Sequence, residues 1–325
     1  MLNRFAKGLG KFLLKAVAVL VLLACLASAW GGIVSLQVKR PALRGELVDI
    51  GGRRLRIVCE GPRSSRPLVV LESGIYGFAS DWGEVQKGLA ANGWRSCAYD
   101  RAGLAFSDPG PAPRDSDAIA RDLDALLKAH GEAGPIILVG HSMAGLHTRL
   151  FAYRHPGVVR GLVLVDAVSP DSVKSRYGRR MLAFFRQLAR GGGVSTTLGL
   201  AKPFTALADA IGLRGPAHEE KVFFFGRVGH NRWAAAEAKV ALPSALQVLK
   251  AGSLDPNLPV GVVTEGPEEL LRTDWGRERV APAKAARQGF FENIPNATHA
   301  SMLGKDHAAV IVRMIERVAI AAGYR

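Results

Sequence analysis

Across the body of the chain, apolar residues fall into short unbroken runs separated by stretches where they recur every third or fourth position. The unbroken runs predict strands at Pro67–Glu72, Trp94–Asp100, Gly161–Ala167, Leu258–Thr264 and Gly289–Asn293. Ile136-Ile137-Leu138-Val139 has no polar alternation at all, the pattern of a strand buried on both faces. Helical spacing predicts helices over Ser80–Asn92, over Ser116–His130 (Ile119, Leu123 and Leu126-Leu127) and over Ala308–Ala322. Upstream, Glu46–Ile50 and Arg53–Glu60 flank Gly51-Gly52 and read as a hairpin with a glycine turn. Strands alternating with helices predict an α/β fold whose mostly parallel sheet is covered on both faces.

That alternation stops between about Pro170 and Asp255. Here there are helical patches carrying Phe184, Phe185, Phe204, Phe223, Phe224, Phe225 and Trp233. Such a stretch is too long for a structureless loop and reads as an insertion between two strands of the sheet. The resulting organisation is an N-terminal segment over 1–40, a core over 45–169 and 256–325, and the insertion over 170–255. No internal repeat is evident.

The N-terminal segment changes the picture most. Ala16 to Val38 contains no charged residue, and Arg4, Lys7, Lys11 and Lys15 precede it. Its length meets the roughly 20 residues a helix needs to cross a bilayer. Ala27-Ser28-Ala29 fits a signal-peptide cleavage site, but the apolar run continues through Trp30 and Ile33 beyond what a signal core requires. An uncleaved membrane anchor is therefore the reading adopted. Lys39, Arg40, Arg44, Arg53 and Arg54 follow it, so basic residues flank both ends and the charge bias does not orient it. We take the N-terminus to lie inside and the body outside the cytoplasm.

The net charge is +15, with six Lys/Arg and no acid in residues 1–40. The rest is spread through the body, and no nucleic-acid motif accompanies it. Attraction to anionic membrane lipid accounts for it better. Hydrophobic residues make up 48% and charged ones 22%, a globular rather than a disordered balance. The three cysteines form no metal pattern.

Candidate chemistry gathers where the buried strand ends, at Gly140-His141-Ser142-Met143-Ala144-Gly145. Beyond it Leu146, Leu150 and Tyr153 recur at helical spacing, so Ser142 sits on a sharp strand-to-helix turn with its hydroxyl near the positive end of the helix. Small residues flank it because such a turn crowds positions two residues to either side. Ala144 stands where the usual pattern has glycine.

Further motifs follow in order: Glu72-Ser73-Gly74 after a strand, Tyr99-Asp100-Arg101-Ala102-Gly103, Leu162-Val163-Leu164-Val165-Asp166-Ala167, and Ala297-Thr298-His299 near the end. Together with the serine turn they resemble the α/β-hydrolase family, over roughly residues 45–323. The resemblance implies an eight-stranded, mostly parallel sheet, and makes the insertion a helical lid between strands 6 and 7. It implies Ser142 as nucleophile and His299 as its base. The orienting acid is expected after strand 7, where Glu265 and Glu268 stand, or in a minority arrangement at the end of strand 6, which is Asp166. Asp166 is preferred. Backbone N–H groups of Met143 and Ile75 are the expected oxyanion donors, with Gly74 letting the chain approach closely. His141 is assigned to packing and His307 to the start of the last helix. Asp100-Arg101 resembles a family signature that a structural ion pair beside the site explains equally well. The resemblance also makes the strands of Cys59 and Cys97 neighbours; two buried thiols are expected, and a disulfide only if the body is extracytoplasmic.

These readings imply a serine hydrolase that cleaves a carboxylic ester, with an apolar or lipid-like acyl group, through an acyl-enzyme and without a cofactor or metal. The alternatives are an amide, lactone or carbon–carbon bond hydrolase with the same residues, or a non-catalytic binding protein on the same scaffold.

Overall fold

The computed structural model describes residues 2–132, 134–197 and 208–325. Phe204 lies outside the described residues, as does the side chain of Phe185. Eight strands form one sheet: β1 (Glu46–Asp49), β2 (Arg54–Glu60), β3 (Leu68–Glu72), β4 (Ser96–Tyr99), β5 (Ile136–His141), β6 (Val159–Val165), β7 (Val260–Glu265) and β8 (Gly289–Ile294). Their spatial order is β1-β2-β4-β3-β5-β6-β7-β8. The β1–β2 and β2–β4 pairs are antiparallel and all others parallel. This is the α/β-hydrolase fold that the sequence motifs implied.

Among the described residues there are ten α-helices: α1 (Leu2–Gln37), α2 (Gly83–Ala91), α3 (Ser116–Ala129), α4 (Ala144–Arg154), α5 (Arg176–Thr197), α6 (Pro216–Phe225), α7 (Val228–Lys239), α8 (Ala241–Ala251), α9 (Asp274–Ala285) and α10 (Ala308–Ala321). The period-2 alternation of each central strand sends its side chains to two separate cores. Val69, Leu71, Val139, Val163 and Val263 pack with Leu89 of α2 and Ile311 and Ile315 of α10. Leu68, Val70, Leu138, Leu162 and Val262 pack on the other face with Leu123 of α3, Phe151 of α4 and Ala283 of α9. Each such side chain gains about 1.5–3 kcal/mol from leaving water. Two covered faces are why these strands read as continuous apolar runs.

Strand register sets the site. Glu72 pairs with Gly140, and His141 with Val165, so the carboxyl ends of β3, β5 and β6 lie side by side. Helices α5 to α8 occupy the chain between β6 and β7.

Three observations differ from expectation. Cys59 and Cys97 are disulfide-bonded, not free thiols. The antiparallel β2–β4 register places them directly opposite each other, with Cα atoms 4.1 Å apart, and register is not visible in residue spacing. Cys25 is the free cysteine among the described residues. In α4, Leu146 and Leu150 are buried but Tyr153 is exposed. Helix α9 was not anticipated, because Pro282 and a polar composition hide its period.

Helix α1 contains an apolar stretch, Gly10–Ile33, long enough to cross a membrane. It begins before Ala16, taking in Lys11 and Lys15, and ends at Ile33.

Candidate active site

Ser142 follows β5 with φ of 57°, the left-handed region that a non-glycine residue enters only under constraint. Its backbone is held there: Ser142 N–H donates to Val165 O (3.0 Å), and Val168 N–H donates to Ser142 O (2.9 Å). Gly140 must be glycine, since a Cβ there would lie 2.7 Å from Thr148 Oγ1. Ala144 is accommodated in the first turn of α4. The tight position is its neighbour Gly145, where a Cβ would meet Ala167 Cβ at 2.6 Å.

Ser142 Oγ lies 2.8 Å from His299 Nε2, and His299 Nδ1 lies 2.5 Å from Asp166 Oδ2. An ionised carboxylate only accepts, so Nδ1 carries the proton and Nε2 is free to accept from the serine hydroxyl. His299 sits in the loop between β8 and α10, about half exposed. Asp166 follows β6 and is 6% exposed. Its other oxygen, Oδ1, accepts from Arg279 Nη1 of α9. Burial pushes the Asp166 carboxyl up, but the hydrogen bond from His299 and the Arg279 charge outweigh it and hold the group below its ordinary value. Among the described residues neither Glu265 nor Glu268 hydrogen-bonds His299. Burial, followed by the Asp166 charge, raises the Glu265 carboxyl, while Glu268 lies exposed in a 3₁₀ turn.

His141 does more than pack. Its Nε2–H donates to His299 O at 2.9 Å, and the two rings lie 4.6 Å apart. Burial, then the neighbouring His299, depresses its pKa to about 3, so the ring is neutral. His307 is the residue before α10 and does not line the cavity beside Ser142. His130 pairs with Glu46, His147 with Ser116, and His218 with Asp209. His155 stacks on Phe151.

The loop after β3 passes so close that a Cβ on Gly74 would lie 2.7 Å from Ser142 Cβ and 3.3 Å from its Oγ. Ile75 is the next residue, and Met143 stands at the start of α4. The loop is fastened by Arg101, which the sequence offered only as one member of a local signature. Arg101 Nη1 donates to Ser73 O (2.5 Å) and Nη2 to Gly74 O (2.9 Å). The same guanidinium makes a two-pronged contact with Glu237 of α7 (2.9 and 2.7 Å) and reaches Glu72 at 3.0 Å. Burial opposes its charge, but Glu237 and Glu72 outweigh burial and keep it protonated. Asp100 is not its partner; Asp100 pairs with Arg56 (3.2 Å) and receives the Ala79 N–H.

Ser142, His299, Gly74 and Ile75 open onto a cavity of about 760 Å³. Phe78, Ile211 and Phe225 make much of it apolar, and α5 contributes Gln187, Gly191 and Ser195. One wall carries polar groups that sequence reasoning missed. Lys221 Nζ donates to Asp81 Oδ1 at 2.7 Å, beside His230 and Asn231. Burial lowers His230 to about 3. Among the described residues no cluster of His, Cys, Asp and Glu has the makings of a metal site.

A family model described as alpha/beta hydrolase fold matches residues 67–209. An uncharacterized protein of Schizosaccharomyces pombe is 26% identical over 231 residues, 69% of this chain and 41% of that protein. The chain thus spans less than half the length of this relative. Among solved structures, an epoxide hydrolase of Vigna radiata superposes with a TM-score of 0.65 at 14% identity, covering 83% of this chain and 96% of the other. A thermophilic esterase of Thermogutta terrifontis does so with a TM-score of 0.59 at 20% identity, covering 85% and 99%. These likenesses concern the fold.

Proposed function

We propose that this chain, which has the α/β-hydrolase fold and matches that family's model over residues 67–209, is a serine hydrolase cleaving a carboxylic ester through an acyl-enzyme. The observation that carries this reading is the unbroken path from Ser142 Oγ through His299 to Asp166 at the wall of a mostly apolar cavity. Ser142 attacks the ester carbonyl while His299 Nε2 takes its proton, and Asp166 stabilises the imidazolium so formed. The developing oxyanion faces the Met143 and Ile75 N–H groups, each worth on the order of 3 kcal/mol. His299 then returns the proton to the departing alcohol, and a water repeats the sequence to release the acid.

Helices α5 to α8 act as a lid in this reading, since α5 and α6 wall the cavity. Its apolar lining favours an apolar acyl group. Serine at 142, in place of an aspartate nucleophile, argues against epoxide opening. Helix α1 anchors the protein in a membrane, and the Cys59–Cys97 bond supports a body outside the cytoplasm.

Labelling by a fluorophosphonate tests the assignment. The protein is expected to take up the label and Ser142→Ala to lose it. Labelling that persists in Ser142→Ala overturns the nucleophile. A panel of p-nitrophenyl esters of rising chain length reads the acyl preference, and a maximum at acetate removes the apolar-acyl reading.

A further inference from the structure

Helix α5 borders the catalytic cavity with one stripe and turns a different stripe outward. Gln187, Gly191 and Ser195, four residues apart, line the cavity. Arg186, Arg190 and Val194, each one position earlier, form the adjacent stripe on the helix surface, and all three are exposed. Helix α5 holds five arginines and no acidic residue. Among the described residues Arg176, Arg180, Arg186 and Arg190 have no carboxylate partner. Val194 is 61% exposed and Tyr177 53%. A basic helix with unpaired arginines beside exposed apolar side chains has the composition of one that rests on an anionic lipid surface.

Two further observations bear on where the membrane anchor lies. Ala27 and Ser28 are half-buried, Gly31 is buried and Gly32 half-buried, whereas Leu23, Leu26, Trp30 and Ile33 are exposed. Spacing of four residues makes the covered positions one face of α1, in the last turns of the apolar stretch. The chain leaving α1 is also fixed rather than loose. Val38 packs on the cluster of Phe78, Phe223 and Phe224, Arg40 stands 5.8 Å over the Phe106 ring, and Arg44 Nε donates to Glu220 of α6 at 2.7 Å. Phe78 also lines the cavity, so a few residues separate the anchor from the cavity wall.

We propose that α5 docks on the surface of an anionic phospholipid bilayer, and that the cavity it borders takes its ester from that bilayer. The docking surface stands independently of the chemistry; the source of the ester rests on the hydrolase reading above. Each arginine near an anionic surface adds about fivefold to its partition, so the stripe is an effective determinant of where the cavity rim lies.

The experiment uses the full chain in a Cys25→Ser background, reconstituted into phosphatidylcholine vesicles with and without phosphatidylglycerol. An environment-sensitive fluorophore is placed at Val194→Cys, and in a control at Lys128→Cys on α3, which is exposed. Doxyl-labelled lipid is expected to quench the probe at 194 and not at 128, most strongly with phosphatidylglycerol present. Combining Arg180→Gln, Arg186→Gln and Arg190→Gln should abolish that lipid dependence. Equal quenching at both positions, or none at 194, overturns the docking surface. The same triple variant should hydrolyse vesicle-borne p-nitrophenyl palmitate at least about fivefold more slowly than wild type, with water-soluble p-nitrophenyl acetate unchanged. A parallel fall on both esters, or no fall on either, overturns the bilayer as the source. A wild type that cleaves neither ester defeats the hydrolase reading while leaving the quenching result to decide the docking surface alone.

Discussion

Asp166→Asn is the sharpest test of how the candidate site is wired, because the structure dictates which way the new amide must face. Arg279 Nη1 can only donate, and it already holds Asp166 Oδ1. In the variant the single amide oxygen is expected to stay on Arg279, which leaves the amide nitrogen, a donor, facing His299 Nδ1. His299 must then present a lone pair at Nδ1 and carry its proton on Nε2, where it can no longer accept from Ser142 Oγ. The same exchange in a comparable triad costs about 10⁴-fold, or about 5.5 kcal/mol of barrier. We expect kcat for a p-nitrophenyl ester to fall by about that factor with KM little changed. A second step follows from the same geometry. Adding Arg279→Met frees the asparagine to turn its oxygen toward His299, so the double variant should be faster than Asp166→Asn alone. Melting curves confirm that each variant is folded. If Asp166→Asn keeps kcat within about tenfold of wild type, Asp166 is not the orienting acid and Glu265, at the end of the adjacent strand, becomes the candidate. If the double variant is slower still, the argument from Arg279 is wrong.

Four further outcomes follow from the same contacts. Arg101→Met leaves Glu72 and Glu237 buried without their counter-charge and should cost about 3–5 kcal/mol in urea unfolding; an unchanged midpoint would show that Arg101 fastens nothing. Gly74→Ala pushes a methyl to within 2.7 Å of Ser142 Cβ, and by shifting the oxyanion loop should lower kcat by about 10²–10³, measured by ester hydrolysis. Ala144→Gly should leave kcat unchanged, whereas Gly145→Ala, crowded by Ala167 and Val168 O, should lose about 1–3 kcal/mol of stability by thermal melting. The lowered Asp166 carboxyl contributes stability above the unfolded value of about 3.9 and loses it as pH falls through the lower folded value. Arg279→Met removes one cause of that lowering, so acid unfolding followed by circular dichroism should begin at higher pH in the variant.

What the sequence made legible and what it hid divide along a physical line. The central strands announced themselves because both of their faces are buried, leaving no polar position to blur the run. Ser142 was legible for a related reason: the strained turn restricts side-chain size at Gly140, and that restriction is written in the residues themselves. His299 could be placed by its position after the last strand. Asp166 was harder. Val165 pairs with Val263, so the ends of β6 and β7 lie side by side, and an acid on either is near the histidine. Only the Arg279 and His299 contacts separate the two, and Arg279 is 113 residues away in the chain. The Cys59–Cys97 bond was missed because strand register determines it, and Arg101 because its partner Glu237 is 136 residues distant on α7.

Buried charge explains this division. An isolated charge inside a protein is costly, and three buried arginines meet acids that residue spacing does not reveal. Arg101 meets Glu72 and Glu237; Arg279 meets Asp166; Arg56 meets Asp100 and Glu220. Arg101 and Arg56 each tie a core loop or strand to a helix of the insertion, and Arg279 ties the helix after β7 to Asp166, the carboxylate hydrogen-bonded to His299. Apolar patterning therefore specifies the sheet, whereas these three guanidinium groups determine how the insertion and α9 sit on it. On this reasoning a variant that exchanges one of these ion-pair sets for apolar residues of similar volume should keep its strands and its stability, while changing the shape of the cavity beside Ser142.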